Sequence, residues 1–386
     1  MKVERNRPGL TKVMQDVLDD LELGANSMVG PPGLVPTVHP NFFADPGKDV
    51  PQILDALASE IRSGHMSGPH DSLTFPVMKI NGFLSIPRSD GGSRQVGNLS
   101  APKGISFNDG VPPESLLRWK VNQTTSKTVS HMIFRAGKGA RLSCNDIVGA
   151  YKLIPVSLQQ RVLQGFSVLG KTFVDERLVF GDAAACLLFD RLHHCIQYVF
   201  VRDEVYLPTR WQGRTIDDIP TVVPPSQSKL LDAFNDGYHA SLTRLGIRYA
   251  LEDPNRKKSF FNSSSGELLG IWFNSEELTW SLPQAKAKLL ARQLDVLCNN
   301  AVLDYNMAAV ICGKLGHVAQ MSFGIRLLMG PLLSMAAELQ SDPHASPRTI
   351  SEDLLTDIRT VSAIVKTSLF TPFPIGNPDL QTHLYG

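Results

Sequence analysis

Apolar residues recur at helical spacing through Leu10, Val13, Met14, Val17, Leu18 and Leu21, which predicts an amphipathic helix over 9–22. Residues 24–49, rich in Gly, Pro and Asn, break that spacing and read as a loop or flexible arm. A second amphipathic helix is expected from Pro51 to about Ser63, where Pro51 suits the first turn. From there to about residue 130, Pro76, Pro87, Gly91-Gly92, Pro102 and Pro112-Pro113 punctuate a region of strands and loops.

Residues 142–148 alternate as a strand ending at Asp146, and 162–174 predict a hairpin turned at Leu169-Gly170-Lys171. A mostly apolar helix is expected over 183–201. Trp211-Gln212-Gly213-Arg214 is polar and marks a strand before Asp217 only poorly. Leu230 to Leu245 is a clear amphipathic helix closed by Gly246. Ser259–Phe261 and Leu268–Phe273, joined by Asn262-Ser263-Ser264-Ser265-Gly266, predict a second hairpin. From Pro283 the pattern is helical, about four helices broken at Asn299-Asn300, Gly330-Pro331 and Asp342-Pro343, with no internal repeat.

With 386 residues, 42% hydrophobic and 19% charged, the chain can bury a sizeable core and form two or three subdomains. A net charge of +1 gives no general attraction to nucleic acid, so a phosphate-binding groove requires local clustering. Arg88, Arg94, Lys103, Arg118 and Lys120 form one such cluster, and Arg256, Lys257 and Lys258 another; each reads equally well as a solvated face. The five cysteines are odd in number, widely spaced and free of Cys-x-x-Cys, which points to a reducing intracellular setting, cytoplasmic or nuclear. His193-His194-Cys195 lacks a second ligand pair at zinc spacing. No apolar segment follows the charged first residues, and the stretch from Leu327 to Ala337 is short and interrupted, so no membrane span is expected.

Two acidic positions change this picture: Asp146 in Cys144-Asn145-Asp146-Ile147-Val148, and the pair in Thr215-Ile216-Asp217-Asp218-Ile219. Three carboxylates at the ends of adjacent strands raise one another's pKa unless a cation lies between them, and hard oxygen ligands suit Mg²⁺ or Mn²⁺. An Asp-Asp pair in a loop is also commonly just solvated. What favours chemistry is the order of the surrounding blocks. Ile61-Arg62-Ser63-Gly64 and Gly68-Pro69-His70 come first, then Leu84-Ser85-Ile86-Pro87-Arg88 with Gly91-Gly92-Ser93-Arg94-Gln95-Val96, then the run Asn98 to Asp109 (NLSAPKGISFND). Asp146 to Val156 (DIVGAYKLIPV), Leu178-Val179-Phe180-Gly181-Asp182-Ala183-Ala184, Ile216-Asp217-Asp218-Ile219, Leu245-Gly246 with Lys257 and Lys258, and Leu268-Leu269-Gly270-Ile271-Trp272-Phe273 follow.

In that order, over roughly residues 50–340, these blocks resemble the reverse transcriptases of tyrosine-recombinase retrotransposons of the DIRS and Ngaro type. The resemblance implies an α+β right-hand polymerase, with an antiparallel palm sheet backed by helices, fingers and a helical thumb. Its expected parts are an N-terminal helix and arm over 1–50, fingers over 51–130, a palm over 131–275 interrupted by a fingers hairpin at about 157–178, and a thumb or connection over 276–386.

The implied reaction is template-directed addition of dNTPs to a primer 3′ end on an RNA or DNA template-primer duplex, assisted by two Mg²⁺ or Mn²⁺ ions. Asp146, Asp217 and Asp218 would be the catalytic, metal-holding acids, joined by the backbone carbonyl of Ile147. Arg88 and Arg94 would hold triphosphate oxygens, Tyr151 would pack under the sugar and exclude a 2′-hydroxyl, and Phe180-Gly181 would lie beside the base. Lys257 or Lys258 would attend the leaving pyrophosphate, and Leu269, Gly270, Ile271 and Trp272 would grip the primer. On residue type alone, Tyr151 and Trp272 read more readily as core aromatics, and solvated surface charge is the alternative for the two lysines.

The sequence departs from the family pattern at Thr215, where an aromatic is usual, and at Pro220, which removes an N–H from the strand after the acids. Asp182 replaces an apolar residue, the proline after the motif's alanine is missing, and Asn98 replaces an acid. The chain also ends at Gly386 without RNase H, methyltransferase or recombinase modules, so a fragment, a degenerate copy or a host-retained domain is expected. Two further readings stay open: a non-catalytic polymerase relic that binds nucleic acid or protein, and a metal-dependent nuclease or other phosphotransferase built on the same acids.

Overall fold

The computed structural model describes residues 12–26, 50–75, 78–87, 93–113, 116, 121, 123–197, 207–252, 254–255, 258–341, 346–369 and 371–376. The expected arm over 24–49, Arg88, Lys257 and the break at Asp342-Pro343 lie wholly or mostly outside them. Among the described residues, the N-terminal half carries helices α1 (Lys12–Asp19) and α2 (Val50–Arg62), strands β1 (Met66–His70), β2 (Ile80–Pro87) and β3 (Ser93–Asn98), then helix α3 (Ser126–Ala136). Strands β4 (Arg141–Asp146), β5 (Gly165–Val168) and β6 (Lys171–Asp175) precede helix α4 (Ala185–Cys195), strand β7 (Asp218–Val223) and helix α5 (Ser228–Arg244). Strands β8 (Phe260–Ser263), β9 (Ser265–Leu268), β10 (Ile271–Asn274) and β11 (Thr279–Ser281) lead to helix α6 (Gln284–Asn300). The described residues end with β12 (Val302–Leu303), α7 (Tyr305–Val318), α8 (Phe323–Leu328), α9 (Gly330–Ser341), β13 (Arg348–Thr349), α10 (Glu352–Thr367) and β14 (Phe373–Pro374).

The chain divides into two compact units, one of residues 1–122, 147–204 and 238–248, the other of 123–146, 205–237 and 249–386. The first is built on a five-stranded sheet in the order β1-β6-β5-β2-β3, in which only β2 and β5 run parallel. Ile53 and Leu57 of α2 pack on Met66, Phe166, Val168 and Phe173 of this sheet. The hairpin of β5 and β6 turns at Leu169 and Gly170, both at positive φ (50° and 73°), which matches its sequence pattern and the geometry of a primed two-residue turn.

The second unit holds a three-stranded antiparallel sheet, β7-β4-β8, and a four-stranded one, β14-β11-β10-β9. Helix α6 buries Ala287, Leu290, Ala291, Leu294 and Leu297 at helical spacing and packs against α10, which buries Leu354, Leu355, Ile358, Val361 and Val365. Helix α5 belongs to the second unit through Gly237 and to the first from Tyr238. It ends where expected: Gly246 has φ 72°, Ile247 N–H donates to the Leu242 carbonyl and Gly246 N–H to that of Thr243, a Schellman closure.

Several expectations need correction. The hairpin expected between Ser259–Phe261 and Leu268–Phe273 does not form: β8 pairs with β4, and β10 pairs with β9 across Leu269-Gly270 (φ 52° and 80°). The serine-rich segment read as the turn is instead largely strand, divided between β8 and β9, and Gly266 within it packs on the Phe260 ring, where a Cβ would come within 2.3 Å. The C-terminal region has five helices among the described residues rather than about four, since the Ser322 hydroxyl caps α8 by accepting from Ile325 N–H and so opens an extra break. Helix α3 begins at Ser126, inside the region read as strands and loops, capped by Thr125. Helix α1 gives way after Asp19 to a π turn, Asp20–Gly24, and the helix expected over 183–201 spans Ala185–Cys195. No helix among the described residues is long and apolar enough to cross a membrane.

Candidate active site

The three acids converge through one strand pairing and one tight turn. Asp146 is the last residue of β4 and stands opposite Asp218, the first of β7. Thr215 and Asp218 exchange both backbone hydrogen bonds (2.9 and 2.8 Å), so Ile216 and Asp217 form a two-residue turn. Because the Asp218 N–H and C=O both face Thr215, Asp146 and Asp218 are a non-hydrogen-bonded pair, the arrangement that brings antiparallel side chains closest. One carboxylate oxygen from each of Asp146, Asp217 and Asp218 lies within 4.8 Å of the others. Ile216, β-branched, occupies the turn at φ 43°, a conformation that costs about 1–3 kcal/mol and that the surrounding pairing imposes.

The same alternation explains why no strand is legible before Asp217. Gly213 N–H donates to the Pro220 carbonyl at 2.7 Å, but Pro220 has no N–H to return, so this pair keeps one of its two bonds. Segment 212–215 therefore follows β7 through isolated bridges, Gln212 to Thr221 and Thr215 to Asp218, rather than as a strand. Gly213 is required there, since a Cβ would meet Thr124 Oγ1 at 2.7 Å and the Pro220 ring at 2.8 Å. The missing N–H of Pro220 faces this segment and not β4, so the β4–β7 register is continuous from Arg141–Val223 to Asp146–Asp218.

Burial is the first cause that raises the Asp146 carboxyl, to about 6; the Asp217 charge adds to it and Lys258 opposes it. Asp218 is pushed to about 7, again first by burial, then by Asp217 and Asp146. The thiol of Cys144, two residue pairs down the sheet and on the same face, lies 3.9 Å from Asp218 Oδ1 and is held protonated by its burial and by the three acids. Three partly buried carboxylates that repel one another, with all-oxygen donors, fit a divalent cation of the Mg²⁺ or Mn²⁺ type.

Polar side chains that the sequence reading passed over support β4 from its other face. Asn145 donates to Asn235 Oδ1 of α5 (3.0 Å), Asn235 donates to Ser143 Oγ (3.0 Å), and Ser143 Oγ accepts from Asn262 N–H (2.9 Å). These groups are buried, so each bond offsets a desolvation cost and fixes the strand that ends in Asp146. The available signal was polar residues at alternate positions of a buried strand.

The other expected residues divide between the two units. In the first unit, Gly149 at φ 70° leads into a 3₁₀ turn that buries Tyr151, whose ring meets Phe180 edge-on at 4.9 Å and Phe189 at 5.9 Å. Phe180 keeps 38% of its surface exposed, and Gly181 has φ 101°, where a Cβ would come within 2.5 Å of the Gly97 carbonyl oxygen. Asp182 is explained by the start of α4: its carboxylate accepts from Ala184 N–H (2.8 Å) and from Gln160 (3.3 Å). Ile147 is buried directly after Asp146. Arg94 is paired with Ile86 between β3 and β2. In the second unit, Lys258 is exposed, and Leu269 and Gly270 form the β9–β10 turn next to Ile271 and Trp272.

No protein-family model matches the chain, and no curated protein matches it. Solved structures do. A foamy viral protease-reverse transcriptase in complex with double-stranded DNA superposes with a TM-score of 0.62 at 14% identity, covering 95% of this chain and 70% of that one. Its dRH form with double-stranded DNA gives 0.59 at 16% identity, over 97% and 60%. The complex with an RNA/DNA hybrid gives 0.60 at 15%, over 97% and 46%, so this chain spans less than two thirds of two of the three. At these identities the likeness speaks to fold, and the chain has the α+β, antiparallel-sheet fold of a reverse transcriptase.

Proposed function

We propose that the protein is an RNA-directed DNA polymerase of the DIRS and Ngaro kind, adding dNTPs to a primer 3′ end on an RNA or DNA template. The observation that carries the reading is the convergence of Asp146, Asp217 and Asp218 at a strand pair and tight turn within a reverse transcriptase-like fold. In the reaction the primer 3′-oxygen forms a bond to the α-phosphorus of a dNTP, the bond to pyrophosphate breaks, and the hydroxyl proton leaves. Two divalent ions held by the three acids and by the Ile147 carbonyl would supply charge neutralisation at the attacking and leaving oxygens. The acids' own part is to present oxygen ligands on a fixed frame, which the β4–β7 register and the Thr215–Asp218 turn provide.

On this reading residues 51–130 with the hairpin near 157–178 act as fingers, 131–275 as palm and 276–386 as thumb. Tyr151, Phe180 and Gly181 line the nucleotide site with Arg88 and Arg94, Lys257 and Lys258 attend pyrophosphate, and Leu269–Trp272 grip the primer. The continuous β4–β7 register despite Pro220, and the hydrogen bonds that Asp182 accepts from Ala184 N–H and Gln160, support an intact frame over a decayed one. The test is primer extension on matched RNA and DNA templates with Mg²⁺ or Mn²⁺, comparing the wild type with Asp217→Asn/Asp218→Asn. Extension by the wild type alone supports the reading. A folded protein that binds primer-template without extending it would instead be a binding relic, and cleavage without dNTPs would make it a nuclease.

A further inference from the structure

The turn carrying Phe180 and Gly181 is held by one side chain from a distant loop. Asn108 donates from Nδ2 to the Gly181 carbonyl (2.7 Å) and to Ser100 Oγ (2.8 Å), while its Oδ1 accepts from Ala183 N–H (2.9 Å). Only a carboxamide supplies donor and acceptor from one planar end, so it can clip both backbone groups of this turn. The loop that presents it is itself braced. Asp109 accepts from Gly104 N–H, Ser106 N–H and Ser106 Oγ (2.7, 2.9 and 2.7 Å), Asn108 N–H donates to the Leu99 carbonyl, and Lys79 donates to the Ile105 carbonyl. On the opposite side the Gly97 carbonyl leaves no room for a side chain at Gly181, so the turn is pinned between β3 and Asn108. Phe180 in turn rests on Tyr151.

We propose that Asn108 is a positioning residue for the nucleotide site: by clamping Gly181 and Ala183 it fixes the Phe180–Tyr151 surface against which the sugar and base of the incoming nucleotide pack. This rests on the polymerase reading above. Asn108 touches no reacting atom in this role; its effect is carried by the Phe180–Gly181 turn. Losing it should loosen the contact that tells a deoxyribose from a ribose while leaving the acids and their cation affinity as they were.

The test compares wild type, Asn108→Leu, which removes donor and acceptor at similar size, and Asn108→Asp, which keeps the acceptor for Ala183 and loses the donor to Gly181. Single-nucleotide incorporation is measured with dNTP and with rNTP, alongside melting temperature and the cation-induced rise in melting temperature. The expected result is a dNTP KM about tenfold higher in Asn108→Leu, which loses both hydrogen bonds to the turn. The ratio of dNTP to rNTP use should fall by a similar factor, with a smaller fall in Asn108→Asp and an unchanged cation response. Wild-type incorporation with both ratios unchanged in the variants overturns the Asn108 proposal alone. A folded wild type that incorporates neither nucleotide overturns both it and the polymerase reading. Should Asn108→Leu fail to fold, the isosteric Asn108→Asp decides by the same ratio.

Discussion

Asp175 in the first unit and the Asp146–Asp217–Asp218 group in the second contain carboxylates raised to similar values by different surroundings. Burial pushes Asp175 to about 6, but Lys152 opposes the shift and donates to it at 2.6 Å, so its charge has a fixed protein partner. Asp146 and Asp218 are also raised first by burial, and there the neighbouring acids add to the shift, with exposed Lys258 opposing both shifts and the Cys144 thiol opposing that of Asp218. An acid already satisfied by a lysine braces a fold. Acids that repel each other leave a charge deficit that a mobile cation can fill, and the arrangement of neighbours, more than the size of the pKa shift, separates the two.

The largest effect that would break this contrast is on catalysis. Asp217→Asn/Asp218→Asn should lower primer extension at least about a thousandfold, roughly 4 kcal/mol of lost transition-state stabilisation. Retained extension would remove the acids from the chemistry. Next in size, Lys152→Met strands Asp175 beside Glu60 in a buried setting and should cost on the order of 3 kcal/mol, read as a lower urea midpoint at pH 7.5. A neutral result would mean that Asp175 does not depend on its lysine.

The third prediction concerns pH in the metal-free protein. Folded Asp146 and Asp218 titrate near 6 and 7, above the ordinary carboxylate value of 3.8, so between about pH 4 and 7 the native state binds more protons than the unfolded one. Their contribution to stability is present below pH 4 and is lost as pH rises through 6 and 7. In EDTA at pH 8, Asp218→Asn should therefore be more stable than wild type, on the order of 1–3 kcal/mol, and the difference should vanish by pH 4. Added Mg²⁺ or Mn²⁺ should raise the melting temperature of the wild type and not that of Asp217→Asn/Asp218→Asn. Wild type more stable than Asp218→Asn in EDTA at pH 8 would reverse the sign and sink the electrostatic account.

The smallest effects separate two turns of the same design. Leu169-Gly170 and Leu269-Gly270 both use positive φ at both positions, where Asn-Gly is preferred. Leu169→Asn and Leu269→Asn should each gain about 0.5 kcal/mol in a thermal melt. Leu269→Asn alone should weaken primer-template binding, measured by fluorescence anisotropy, if the β9–β10 turn meets the primer.

The sequence by itself determined the elements whose signals are local. The β5–β6 hairpin follows from Leu169-Gly170, the end of α5 from Gly246, and the strand ending at Asp146 from its alternation, because turn chemistry and side-chain period act over a few residues. The order of blocks also brought the three acids to notice. Tertiary structure decided the partners. That β8 pairs with β4 and not with β10, and that Phe260 lies under Gly266, are long-range contacts that no local pattern encodes. That Pro220 is harmless to the β4–β7 pairing depends on which side its missing N–H faces, a matter of register fixed by the Thr215–Asp218 turn. The pKa contrast between Asp175 and the three acids, and the reach of Asn108 to a turn more than seventy residues away, come from contacts that exist only once the chain has folded.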